Sequence, residues 1–158
     1  MAAEDSIASQ GTEVFFGSGS GTTVTKFSCP TGISGLGGGA DQIDTTCLDS
    51  TERESRRGFK NPSAISVPFI FLPQDSSHQA VLGELNESGE IVPWMLAFSD
   101  GTADPTIAAG VWTAPTGRTS VSFNGYVSDV TIDVATNDVV KGTVTIQRSG
   151  GLTWIYKA

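Results

Sequence analysis

Apolar and polar positions along the chain alternate with a period of two. In "SAISVPFIFLP", Ile65, Val67, Phe69 and Phe71 stand against Ser66, Pro68, Ile70 and Leu72, the signature of a strand. Both faces are apolar toward its end, as in an interior strand, whereas Pro68 points to an edge or a bulge. Upstream, "TEVFFGSGSGTTVTKFSC" predicts strands over 12–17 and 21–28 joined by a Gly-Ser turn at 17–20. "DQIDTTCLD" resumes a strand with Ile43, Thr45 and Cys47 on one face. Downstream, "EIVPWMLAFSDG" turns at Asp100-Gly101, "AAGVWTAPTG" is a looser β segment, and "ATND" joins two long strands into a hairpin.

One stretch breaks the alternation. "PQDSSHQAVLGELNESGE" predicts a helix over about 75–86, with Asp75 or Ser76 as N-cap, Val81, Leu82 and Leu85 as apolar stripe, and Gly89 as left-handed stop. Eight or nine strands, one helix and no βαβ alternation make the chain mainly β, a sandwich or barrel-like fold with one flanking helix. The domain boundaries follow: a flexible N-terminal arm over 1–11, a single β domain over 12–149 with a long loop at about 30–62, and a C-terminal arm over 150–158.

"VSFNGYVSDVTIDV" at 121–134 reads in two ways. Asn124-Gly125 suits a two-residue hairpin turn, and Gly inside a strand equally marks a bulge. Either puts Val121, Phe123, Tyr126, Ser128, Val130, Ile132 and Val134 on one face, so periodicity does not choose.

Charge narrows the function. Among 158 residues, 9 Lys and Arg against 17 Asp and Glu give a net charge of −8, the wrong sign for gripping phosphates. The N-terminus "MAAEDSIASQGTE" has neither the basic nor the apolar region of a secretory signal, and no apolar run of membrane-spanning length occurs. A cytoplasmic, reducing compartment is therefore expected, with Cys29 and Cys47 as thiols. "STERESRRGFKNPS" concentrates charge in a short span and is either a solvated loop or an excursion reaching a neighbouring subunit.

Catalytic chemistry is poorly represented. "GLGGGA" at 35–40 matches a dinucleotide loop by spacing, but strands rather than a βαβ unit surround it. His78, the only histidine, has no nucleophile motif to serve and is expected to cap or pack. Asp129 and Asp133 share a strand face, yet two pleats separate them by about 13 Å, too far for a glycosidase pair. No enzyme activity, cofactor or metal is expected.

Three segments in order carry a resemblance. "DTTCLDSTERESRRGFKNPSAISVPFIF", "DSSHQAVLGELNESGEIVPWMLAFSDG" and "FNGYVSDVTIDVATNDVVKGTVTIQRSG" together resemble the acidic loop, helix-strand unit and late strands of the major tail tube proteins of long-tailed phages. The resemblance implies a structural virion protein, made in the bacterial host cytoplasm, that forms hexameric rings stacking into a tube for DNA. Its expected partners are further copies of itself, a tape measure protein, a tail tip or baseplate, and a tail terminator, with viral DNA passing through and no membrane insertion. Asp129 and Asp133 would then face the lumen and repel phosphates. Asp44, Asp49, Glu52, Glu54, Arg56 and Arg57 would lie on a loop reaching an adjacent subunit or ring. Trp154, Ile155 and Tyr156 would anchor a C-terminal arm on a partner, and the outer immunoglobulin-like domain of some members would be absent. By the same resemblance, 119–134 is one long strand bent at Gly125. Two other readings are retained: another tail or head protein, such as a terminator or decoration protein, and a small ligand- or carbohydrate-binding β-sandwich.

Overall fold

In a computed structural model, residues 6–18 and 22–157 are described. Residues 1–5 of the expected N-terminal arm, positions 19 and 20 of the expected 17–20 turn, and residue 158 of the expected C-terminal arm lie outside them. Eleven strands are present among the described residues: β1 (Glu13–Ser18), β2 (Thr23–Phe27), β3 (Ala40–Asp44), β4 (Ser55–Lys60), β5 (Ile65–Ile70), β6 (Val92–Ala97), β7 (Thr106–Ala108), β8 (Val111–Thr113), β9 (Ser120–Asp133), β10 (Lys141–Arg148) and β11 (Thr153–Ile155). Seven form one antiparallel sheet ordered β2-β1-β6-β9-β10-β5, with β11 added to β9.

The fourteen-residue β9 organises this sheet. Its first half pairs with β6, Ser120 to Gly125 against Ala97 to Val92. Its second half pairs with β10, from Gly125↔Arg148 to Asp133↔Lys141. The sheet curls about this shared strand until its two ends meet side chain to side chain. Phe27 of β2 contacts Phe69 of β5 edge-on, ring centroids 5.2 Å apart. The curl encloses Phe16, Phe27, Val67, Phe69, Trp94, Val121, Val127, Val144 and Ile146 in one buried cluster, as expected of a sandwich made from one folded-over sheet.

The strand from 120 to 133 therefore runs in one direction, as the resemblance implied. The register shift, however, lies at Ser128, which is extra on β9 between the pairs Ile146↔Val127 and Thr145↔Asp129. Because the alternation runs unbroken through Gly125 and slips only after Val127, Val127 is buried while Tyr126 and Ser128 face outward. This corrects the face predicted from a turn or bulge at 124–125. Gly125 is needed for close approach: a Cβ there would sit 2.7 Å from the Gln147 carbonyl oxygen. Its own carbonyl accepts the Trp94 Nε1–H bond at 3.3 Å.

Pro68 sits on β5, at one end of the strand order. The Gly-rich segment after β2 covers that edge through the bridges Pro30↔Phe69 and Ser34↔Ser66, and Pro68 uses its carbonyl to accept from Thr31 N–H at 2.8 Å. The apparent conflict between an interior pattern and a proline is resolved by this strap.

The helix begins at Ser76 and ends at Ser88. It is α-helical over Ser76–Gln79, π-helical over Ala80–Leu85 and α-helical over Asn86–Ser88. Val81 and Leu85 are buried in the core cluster, and Gly89 closes the helix at φ 63°. His78 is buried among Phe27, Phe69 and Phe71. Its Nδ1 accepts from Leu72 N–H at 3.0 Å and its Nε2 meets the Ser28 carbonyl at 2.6 Å, a neutral packing role that uses both ring nitrogens.

Asp75 is the cap, accepting from Ser77 N–H at 2.9 Å. Hydrogen bonds from the Ser77 and Ser28 side chains lower its carboxyl to about 2. A carboxyl depressed in the folded state contributes stability above its unfolded pKa, lost as pH falls through the folded one. Urea titrations should thus show the cap's contribution intact at neutral pH and lost between about pH 4 and pH 2. Asp75→Ala should lower neutral-pH stability by about 1 kcal/mol and flatten that acid slope.

Candidate assembly surfaces

The two faces of the curled sheet away from the core differ. On the β1 and β6 half the outer face is covered: Phe15, Met95 and Ala97 are buried. The β7–β8 ribbon and the loop to β9 lie over it, with Ile107 beside Gly17. Arg118 is the buried hub of this cover. Its Nε donates to the Phe98 carbonyl at 2.6 Å, its Nη1 to Ala103 at 2.8 Å, and its Nη2 pairs with Glu13 at 2.9 Å. Burial would raise the Glu13 carboxyl, but hydrogen bonds from Lys26 and Arg118 outweigh it and hold it below its ordinary value.

On the β9, β10 and β5 half the outer face is open. Cross-strand rows run Ser66–Thr145–Asp129, Pro68–Thr143–Thr131 and Ile70–Lys141–Asp133. Asp129, Thr131 and Asp133 are exposed, and Lys141 turns its ammonium to Asp138 at 3.1 Å rather than to Asp133 opposite. The structure thus places both predicted aspartates on one hydroxyl-rich, solvent-facing sheet surface.

The charged segment read as part of a long loop is a two-stranded ribbon. β3 and β4 pair through Gln42↔Arg57, Ile43↔Arg56 and Asp44↔Ser55, with an irregularity toward Ala40↔Lys60. Period two was hidden in β4 because almost every side chain of "SRRGFK" is exposed. Asp44, Asp49, Glu52, Glu54, Arg56 and Arg57 all lie on this hairpin, and all are exposed. Hydrogen bonds from Thr46, its side chain first, lower the Asp44 carboxyl. Ile43, placed on a strand face by the sequence, is 53% exposed, and the pattern gave no sign of its apolar companions Leu48, 106% exposed, and Phe59, 88%. The aromatic amid the cations of "RRGFK" was the available signal.

Arg148 roots this hairpin. Buried at the end of β10, it donates from Nε to the Ser63 carbonyl at 3.1 Å and from Nη2 to the Gly37 carbonyl. Those residues sit on the two legs. Gly35, at φ 93° and packed against the Ala64 carbonyl, lets the incoming leg approach so closely.

The C-terminal residues, expected to anchor an arm on a partner, are docked on their own subunit. β10 ends opposite Gly125, leaving the edge of β9 before it open, and β11 fills it with Thr153↔Ser122, Trp154↔Val121 and Ile155↔Ser120. Trp154 stacks on Phe98 at 5.9 Å and on Tyr156 at 6.3 Å, while Ile155 is half-buried. The Lys157 ammonium donates to the Asp100 carbonyl at 2.8 Å. Of the arm expected to be flexible over 1–11, the described Ala8 and Gly11 are tied down by Ser99 Oγ and Arg118.

Cys29 and Cys47 are exposed free thiols. Among the described residues no cluster of His, Cys, Asp and Glu is arranged to hold a metal, and no helix is long and apolar enough to cross a membrane.

Residues 5–158 match the family described as "Phage tail tube, TTP, lambda-like". "Structural protein 3" of Pseudomonas phage PAJU2 is 33% identical over 155 residues, covering 95% of this chain and 94% of that protein. Solved structures share the fold at low identity. The tail of an empty gene transfer agent particle, refined with C6 symmetry, superposes with a TM-score of 0.64 at 13% identity, covering 99% of both chains. The sheath/tube terminator of an extracellular contractile injection system gives 0.70 at 12% identity, covering 98% of this chain and 100% of that one.

Arg148→Met should free the legs of the hairpin. Hydrogen exchange at Asn61 N–H, bonded to the Gly39 carbonyl at 2.7 Å, should accelerate by at least about tenfold, while amides in β6 change far less.

Proposed function

Because the chain belongs to the lambda-like phage tail tube family, a structural protein of the virion and not an enzyme, we propose that it is the repeating subunit of the tube: hexameric rings that stack and enclose a channel for DNA. The observation that carries this reading is the β3–β4 hairpin. Twenty-one residues project from a core that does not need them, apolar Ile43, Leu48 and Phe59 among them. An ordered ribbon that buries nothing in its own subunit is explained by a neighbour that covers it. On this reading Asp44, Asp49, Glu52, Glu54, Arg56 and Arg57 contact the next subunit or ring. Trp154 and Tyr156, docked by β11 yet exposed, present an aromatic patch to a neighbour. Further partners of the tail, the tape measure, tip and terminator proteins, meet the tube at its bore and ends.

The open face of β9, β10 and β5 suits the bore. In its rows of Ser, Thr and Asp, interrupted by Pro68, Ile70 and Lys141, the one cation is paired with Asp138, and the carboxylates repel the duplex at short range. The sixfold tail of the gene transfer agent supports rings of six. Similarity to a terminator supports a second reading, a single capping ring; the two differ in whether pure protein grows.

Negative-stain microscopy of concentrated protein should show long hollow tubes, and isolated rings would favour the terminator reading. Phage carrying Asp129→Lys and Asp133→Lys should build tails of normal length but deliver DNA at a level reduced by at least about tenfold. Normal delivery would remove these residues from the bore.

A further inference from the structure

The hairpin's tip and its root are complementary. At the tip a turn closed by Ser50 N–H to the Cys47 carbonyl at 3.1 Å holds Leu48 and Asp49 at its two central positions, both exposed. Thr46 braces that turn, its Oγ1 accepting from Glu54 N–H at 2.9 Å and its N–H donating to Asp44 at 2.9 Å. An apolar side chain and a carboxylate are therefore presented side by side on a fixed support.

At the root, beside Arg148, lies a cavity of about 450 Å³. Its walls include the apolar Leu36, Leu152 and Trp154 and the cationic Lys60 and Arg148. Neither cation has a carboxylate partner among the described residues. Arg148 commits Nε and Nη2 to carbonyls, and its Nη1 has no hydrogen-bond partner among those residues. A buried guanidinium without a counter-charge favours an anion beside it.

The tip cannot satisfy its own root. The ladder from Ala40↔Lys60 to the Thr45–Glu54 bond holds the tip about 17 Å away at ~3.4 Å per residue. We propose that the cavity is a socket for the hairpin tip of a second copy, with Leu48 entering between Leu152 and Trp154 and Asp49 facing Lys60 and Arg148. The contact rests on the reading of the hairpin as an inter-subunit limb and specifies where that limb lands. It is heterologous, tip to root, so every copy offers one tip and one socket and the contact propagates.

Cys47 beside the tip makes this testable. A Cys29→Ser, Gly151→Cys variant leaves one thiol at the tip and places one at the socket wall, where an added Cβ meets nothing within 4 Å. Tubes of this variant, oxidised and run without reductant, should give a ladder of covalent multimers, whereas a two-fold contact would stop at dimers. In wild-type tubes a short thiol–amine crosslinker should join Cys47 of one copy to Lys60 of another. Leu48→Asp should leave on the order of tenfold more protein unassembled. Tubes that form with neither link, or Leu48→Asp protein that assembles like wild type, overturn the socket and leave the tube reading standing. Should the double variant not assemble, the wild-type crosslink decides. Wild-type protein that forms no tubes removes the tube reading, and the socket with it.

Discussion

A fourteen-residue strand does not fit inside this domain. At about 3.3 Å per residue β9 is some ~46 Å long, while a compact chain of 158 residues is only about 39 Å across. The core closes around one half of the strand and lets the other run out. In the first half, paired with β6, β11 and β10, Val121, Phe123, Gly125 and Val127 are buried at every second position; beyond Ser128 only Val130 still packs on the core among the described residues. The extra residue at Ser128 marks the change, turning the second half so that Asp129, Thr131 and Asp133 share an open face.

That division sets what the subunit does alone and what it leaves for others. The folded part is stabilised by its own aromatic core, by a helix pinned through Val81, Leu85 and Asp75, and by Arg118 under the β7–β8 cover. The parts that run out, the β9–β10 face and the β3–β4 hairpin, expose side chains without collapsing. Arg148 links the two: it belongs to the core strand β10, yet its guanidinium holds the hairpin's legs. A core packed within one subunit, with the outer elements left uncovered, is what the proposed role of a tube subunit requires.

Much of the fold was legible because half-buried strands carry period two. β1, β2, β5, β6 and β10 lie close to where alternation placed them, and Asp75 and Gly89 bounded the helix through cap and stop chemistry. What escaped had no burial contrast to read. β4 is exposed on both faces, so its pattern looked like a charged loop. The bulge was assigned to Gly125 because glycine is a sequence signal, whereas Ser128 is not; only the pairing of Val127 with Ile146 reveals the slip. The candidate surfaces were partly legible: Asp129 and Asp133 share the predicted face, and the charged residues share one hairpin. The Arg148 root depends on contacts between segments more than eighty residues apart, which no local pattern encodes, and the exposure of Ile43, Leu48 and Phe59 follows from a hairpin that projects from the core. The C-terminal aromatics were visible as an oddity, but the vacancy on β9 that receives them was not.

Helical reconstruction of wild-type tubes by electron cryo-microscopy tests the central claim most directly. The account predicts that the β9, β10 and β5 outer face lines the bore and that residues 40–60 lie against a neighbouring copy. A hairpin left in solvent, or Asp129 and Asp133 on the outside of the tube, would contradict it.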